Sequence, residues 1–161
     1  MVSDREGGEE GLPEAAKEIV ATLGLLPHPE GGYYREVFRD GATVMQGSPS
    51  RPGADRRRSA VTLIHFLVAG DRPTSWHRVA STEIWHHVGG DPLWLDIEES
   101  EGDPPATRSL LLGDPLSRPA PAVGIVPAGA WQRARSAGAY SLTTCTVAPG
   151  FEFEDFQLRS T

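Results

Sequence analysis

From Ser59 onward the chain is a series of short apolar runs, each closed by glycine, proline or aspartate. "SAVTLIHFLVAG" stops at Gly70-Asp71, and "STEIWHHV" stops at Gly89-Gly90-Asp91. "PLWLDIEE", "RSLLLG", "AVGIVPAG", "AWQRARS", "YSLTTCTVAPG" and "FEFEDFQL" follow. The runs are rich in β-branched and aromatic residues and recur at roughly ten-residue intervals, the pattern of an all-β sandwich or barrel. No helical periodicity interrupts it. The one helix expected lies before it, over Pro13 to Leu25, where Ala15, Ala16, Ile19, Val20 and Leu23 share a side. Pro13 suits its first turn and Gly24 its stop. A strand is expected from Tyr33 to Arg39, then a loop over residues 41–58 with at most a short strand at its start.

The 161 residues suit one domain. Residues 1–11, "MVSDREGGEEG", read as a flexible acidic tail, and 12–161 as the domain. Fifteen basic against 22 acidic residues give a net charge of −7. Nucleic acid and anionic membranes both require a basic footprint, so neither is expected as a partner. Arg56-Arg57-Arg58, with Arg51 nearby, sits among Pro, Gly and Ser and reads as a solvated loop. No apolar run is long enough to span a bilayer, and the first residues lack an apolar signal core. The single cysteine, Cys145, allows no intrachain disulfide. A cytoplasmic protein is the expectation.

The ends of the runs carry a recognisable pattern. Gly70, His77, Glu83 and Gly90 stand at the spacing of a cupin first motif, and Pro127 and Gly129 open its second. "HPEGGYYRE" (His28 to Glu36), "WHR…EIWH…GDPL" (Trp76 to Leu93) and "TVAPGFEFEDF" (Thr146 to Phe156) resemble a short subgroup of uncharacterised cupins, over roughly residues 12–158. That resemblance implies a double-stranded β-helix, the cupin jelly roll, with a short N-terminal helix and usually a homodimer. The superfamily includes metal dioxygenases, decarboxylases, sugar isomerases and metal-free deoxysugar epimerases, so the reaction must be argued from the site.

Cupin metal centres use His-x-His and Glu from the first motif and His from the second. The resemblance puts His77 and Glu83 at two of these positions, Val79 at the third and Gln132 at the fourth. Two strong ligands seldom retain a divalent ion. A pocket without a cofactor is therefore expected. Fe, Mn, Ni or Zn on His77 and Glu83, helped by His87 and Gln132, is the alternative. Along the strand Glu83, Trp85 and His87 share one face, and Ile84, His86 and Val88 the other.

A histidine beside a carboxylate in a half-closed barrel can move protons near neutral pH. His77 is the expected base or acid, Glu83 its partner, and Tyr33 the phenol, with Tyr34 and Tyr140 as other candidates. Arg35 could hold an anionic group. Trp76, Trp85, Trp94 and Trp131 could wall a ring-shaped ligand, although Trp94 reads better as core. His87, Gln132, Tyr140 and Glu30 complete the expected binding set. His28 reads as a loop histidine, His65 as a packed strand residue, His86 as outward-facing and Cys145 as a small buried hydrophobe. "APGFEFEDF" reads as the cover of a sheet edge or a subunit contact.

Three functions are consistent with these residues. The first is a metal-independent epimerase, isomerase or dehydratase acting on a small-molecule substrate. The second is a metal-dependent oxygenase, decarboxylase or cyclase. The third is a non-catalytic binding module.

Overall fold

Burial alternates residue by residue along Val123–Val126, Trp131–Ser136 and Tyr140–Ala148, whose inward sides meet a core between two sheets. The computed structural model describes residues 11–48, 51–99 and 106–160. In chain order the elements are α1 (Glu14–Leu23), β1 (Leu26–Pro27), β2 (Tyr33–Arg39), β3 (Thr43–Ser48), β4 (Arg51–Ser59), β5 (Thr62–Ala69), β6 (His77–Val79), β7 (Thr82–Gly90), β8 (Leu93–Glu98), β9 (Thr107–Leu112), β10 (Val123–Val126), β11 (Trp131–Ser136), β12 (Tyr140–Ala148) and β13 (Phe156–Leu158). One sheet runs β1-β2-β5-β12-β7-β10 and the other β13-β6-β11-β8-β9, with β3-β4 as a separate hairpin. This is the expected all-β jelly roll. The expected tail, residues 1–11, lies outside the described residues except for Gly11.

The core between the sheets is built from Phe66, Trp85, Leu93, Leu95, Ile97, Leu112 and Val126, all nearly inaccessible. Burying each such side chain contributes about 1.5–3 kcal/mol, so these few carry much of the net stability. A second cluster lies outside the six-stranded sheet, where α1 buries Ala16 and Val20 against Tyr33, Leu67 and Ala69. Gly24 ends the helix in the left-handed conformation (φ 62°), and the Leu25 amide returns to the Val20 carbonyl at 2.9 Å.

Residues 41–58 form a hairpin rather than a loop. Val44 pairs with Arg58 and Gln46 with Arg56, and Gly47, Ser48, Pro52 and Gly53 belong to the strands themselves. The arginine cluster is solvated only in part, with Arg57 exposed and Arg56 half-buried. Arg58 is buried, giving Nε to Asp155 at 2.7 Å and Nη2 to Glu154 at 2.6 Å, while Arg56 reaches Asp155 at 3.1 Å. Arg51 lies among residues whose side chains are not described.

The outer face of the five-stranded sheet carries an alternating column of rings and guanidiniums. Arg159 lies 4.6 Å from the Trp131 ring and 5.0 Å from that of Trp76, with Arg78 4.7 Å from the Trp131 ring and Arg133 5.0 Å from that of Trp76. Arg159 also bonds both oxygens of Glu98, at 3.0 and 2.7 Å. The column ties the chain just after β13 to β6, its neighbour, and to β11 beyond it. Among the described residues no helix is long and apolar enough to cross a membrane.

Candidate functional site

One end of the barrel opens into a cavity of about 320 Å³ between the two sheets. Its wall begins with the "HPEGG" turn. The His28 amide donates to the Gly32 carbonyl and the Gly31 amide to the His28 carbonyl, both at 3.0 Å. Gly31 and Gly32 have φ of 101° and 75°, a region that side chains resist. The turn aims Glu30 inward, and the Ser75 amide holds its carbonyl at 2.6 Å. A Cβ on Gly32 would lie 2.7 Å from the Leu67 carbonyl oxygen. Gly32→Ala is therefore expected to cost about 1–3 kcal/mol in thermal or denaturant unfolding. Gly89→Ala, with nothing within 4 Å of its added carbon, should change stability by under about 0.5 kcal/mol. Equal effects at the two positions would refute the turn argument.

Glu30 meets His77 at the cavity wall. His77 Nε2 lies 3.2 Å from Glu30 Oε2, and His28 Nδ1 lies 3.3 Å from the same oxygen. His77 Nδ1 is 2.9 Å from the Ser75 carbonyl, which can only accept, so this nitrogen carries the proton. The His77 Nε2 lone pair then faces Glu30. His28 Nδ1 also accepts, from the Glu30 amide at 3.3 Å. Two acceptor nitrogens thus converge on one carboxyl oxygen, an arrangement satisfied by a protonated Glu30.

Glu83 stands on β7 in the six-stranded sheet, across the cavity from the strand of His77. Gln132 Nε2 donates to its Oε2 at 2.6 Å, and Gln132 Oε1 accepts from Trp85 Nε1 at 2.8 Å. The Cys145 thiol also donates to Glu83. The register explains the meeting: Glu83 and Trp85 lie on β7 opposite Val147 and Cys145 of β12, while Gln132 pairs with His77 across β11 and β6.

Burial dominates the proton affinities. It raises the Glu83 carboxyl to about 7, against the pull of Gln132 and Cys145. It raises Glu30 well above the usual carboxylate range, reinforced by the charge of Glu83. His77 falls to about 4 through burial, opposed by its bond to Ser75. His28 falls to about 4 through burial and the neighbouring His77. The Cys145 thiol is pushed up by burial and by Glu83. Near neutral pH the cavity therefore holds two neutral imidazoles and a half-ionised Glu83, while burial and the Glu83 charge favour the protonated form of Glu30.

His77, Glu83, Trp85 and Glu30 all line this cavity. Gln132 is fully buried behind Glu83 and Trp85. Other expected residues lie elsewhere. Tyr33 is packed beneath α1, and Arg35 is exposed, giving Nη1 to the Leu23 carbonyl at the helix end. Tyr34 and Glu36 face the cavity instead, because β2 pairs Tyr34 with Phe66 and Glu36 with Ile64. A shift of one residue exchanges the faces of a strand. His87 stands two residues beyond Trp85, next to a register shift against β12. It lines a separate groove, its Nε2 3.0 Å from the Asp91 carbonyl. Trp76 and Trp131 belong to the outer column, Trp94 stacks with Arg135, and Tyr140 packs in the cluster under α1. His65 and His86 both lie beside Thr144 on the half-buried outer face of their sheet.

His28, Arg39 and Cys145 were not expected at the cavity, yet all line it. A signal existed only for His28, whose "HPEGG" turn has two consecutive glycines beside an acid. "FEFEDF" contributes Phe151, Glu152 and Phe153 to the wall.

The donor set departs from a cupin metal centre. Val79 presents an apolar side chain to the cavity, and both ends of the Gln132 amide are engaged by protein groups. Among the described residues no three His, Cys, Asp or Glu side chains are arranged to hold an ion. The residues at the four cupin ligand positions do not fit the metal these motifs imply.

Residues 17–159 match the family model described as cupin superfamily (DUF985). A hypothetical protein from Leishmania major is 33% identical with a TM-score of 0.77, the match covering 90% of this chain and 87% of that one. A protein from Shewanella oneidensis is 29% identical with a TM-score of 0.75, over 90% and 84%. An oxalate oxidase bound to the substrate analogue glycolate shares the fold at 16% identity and a TM-score of 0.55, over 81% and 56%. A search of curated proteins returned no significant match.

Proposed function

The chain belongs to the DUF985 family of the cupin superfamily, and from that premise we propose that it is an enzyme of the isomerase, epimerase or lyase type. In this reading it moves a proton on a small carbonyl-bearing substrate using its own side chains. The observation that carries the reading is the convergence of His77 Nε2 and His28 Nδ1 on Glu30 Oε2, with a separately anchored Glu83 in the same cavity.

The roles divide by proton affinity. Glu83, raised to about 7, is half ionised at neutral pH and is matched to act as the base. Glu30 keeps its proton and is the acid, with His77 Nε2 holding that proton in line and sharing it. Glu83 takes the proton from the carbon beside the carbonyl, and Glu30 gives its proton to the carbonyl oxygen. An enol results, one carboxyl is ionised at every stage, and the cavity's net charge is constant. Returning the proton to the other face, or to a neighbouring carbon, gives epimerisation or isomerisation. Loss of a leaving group from the adjacent carbon gives a lyase. Gln132 and Cys145 orient Glu83, and the apolar wall limits water.

The test is exchange in deuterated water. Chelator-treated protein is incubated in D₂O with a small-molecule extract and with a panel of carbonyl compounds. Mass spectrometry should find at least one compound gaining a single deuterium at a carbon-bound position. No enzyme-dependent labelling would overturn the proposal.

A further inference from the structure

The cavity's charges do not balance as an anion site would. Four carboxyl groups line it, those of Glu30, Glu36, Glu83 and Glu152, and the only guanidinium among the described lining residues is that of Arg39. That guanidinium is fully engaged. Nε and Nη2 bond the two oxygens of Glu36 at 2.9 and 2.8 Å, Nη1 bonds Glu152 at 2.7 Å, and Nη2 reaches the Phe151 carbonyl at 3.0 Å. These groups are partly exposed and mark the open end, where two carboxylates and one cation leave a charge of −1. Arg35, the other cation on this strand, points away to the helix. Deeper in, Glu83 is held by an amide and a thiol, neither of them charged. An anionic substrate would meet its own sign at the entrance and, among the described residues, find no free cation inside.

Much of the rest of the wall is aromatic, with Ile64, Val79 and Val147 between the rings. Phe66 and Trp85 stand edge to face at 5.5 Å, and Tyr34 and Phe153 do the same at 6.4 Å. Ring faces beside a carboxylate attract cations that are too weakly hydrated to prefer water, as quaternary ammonium groups are.

We propose that the cavity takes a small organic cation, an alkylammonium or comparable onium group, with Glu83 as its counter-charge and the aromatic wall as its cage. The inference rests on the reading of this cavity as the substrate site, and it specifies the charge of that substrate. A positive centre near the reacting carbon also makes its C–H more acidic, the property a carboxylate base needs. The raised proton affinities of Glu30 and Glu83 agree, since each records a buried carboxyl without a compensating cation.

Choline, 3,3-dimethylbutan-1-ol and 3,3-dimethylbutanoate test this directly, because the alcohol copies choline's shape with carbon in place of nitrogen. Calorimetry on the whole chain with chelator present is expected to give choline at least about tenfold tighter binding than the alcohol. The preference should grow from about pH 6 to about pH 8, with a proton released, as Glu83 ionises. Glu83→Gln should reduce it to about threefold or less. Should that variant fail to fold, the pH dependence of the wild type decides. Equal binding of the alcohol, tighter binding of the acid, a preference that does not grow with pH, or no choline binding below about 20 mM each overturns the proposal. Binding is read without turnover, so its failure is distinct from a failure of deuterium exchange.

Discussion

His77→Gln is expected to lower the rate of proton exchange by about 10²–10⁴-fold while the protein stays folded. Glutamine matches the length of the imidazole and can still donate to the Ser75 carbonyl, now 2.9 Å from Nδ1. It offers no basic nitrogen to the Glu30 proton that His77 Nε2 faces at 3.2 Å. His28 cannot substitute, because its Nδ1 already accepts from the Glu30 amide. The loss should fall mainly on kcat, since His77 handles a proton that moves in the transition state rather than binding the ground state. The measurement is deuterium incorporation by folded variant and wild type, with circular dichroism as the check on folding. Exchange within about threefold of wild type would remove His77 from the mechanism.

Glu83→Gln is expected to stabilise the protein at alkaline pH and to change the shape of its pH–stability curve. The Glu83 carboxyl rises from 4.5 to about 7 on folding. Between those values the native state keeps a proton that the unfolded chain has lost, so this group's contribution falls as pH rises through the window. The full difference amounts to about 3 kcal/mol. His28 and His77 act in the opposite sense. Both drop from 6.5 to about 4 on folding, so the unfolded chain binds extra protons below 6.5 and stability falls as pH drops. Glu30, also raised, works with Glu83. Between about pH 4.5 and 6.5 the raised carboxyls oppose the two imidazoles and flatten the wild-type curve. Removing Glu83 takes away its opposing slope, and the variant should gain about 1.4 kcal/mol per pH unit relative to wild type there. Glutamine can keep the Gln132 contact, so little packing changes. Denaturant midpoints at about pH 5 and about pH 8 read the effect. A difference between variant and wild type that does not grow with pH would refute the assignment.

The strands were legible because their apolar runs are short, end on Gly, Pro or Asp, and are rich in residues that suit a pleated surface. Tyr33–Arg39 has the expected bounds, and α1 sits where its apolar side and Gly24 put it. Residues 41–58 were misread because turn residues mask a polar hairpin, whose strands are held by cross-strand pairing and by Arg58 on Glu154 and Asp155. Neither partner lies within reach along the sequence.

Facing was the harder matter. On β2 both alternating sets carry a tyrosine, so periodicity does not choose between Tyr33 and Tyr34. The choice comes from pairing with Phe66 on β5 and from α1 covering the other side. The tryptophans misled for a related reason. An exposed sheet face can hold large rings when guanidiniums stack on them, and Trp76 and Trp131 do so with Arg159, which is remote in sequence.

By itself the sequence determined an all-β sandwich or barrel, because strand period is a local property, and its resemblance to cupins implied the jelly roll with His77 and Glu83 in its pocket. It also determined that Val79 and Gln132 replace two of the usual ligands. Only the tertiary structure decided that His77 and His28 converge on the Glu30 carboxyl, that Cys145 and Gln132 hold Glu83, and that Arg39 is bound by two carboxylates. Those facts depend on register between strands and on burial. Both are set by the whole packed barrel, and burial is what shifts the proton affinities on which the chemistry depends.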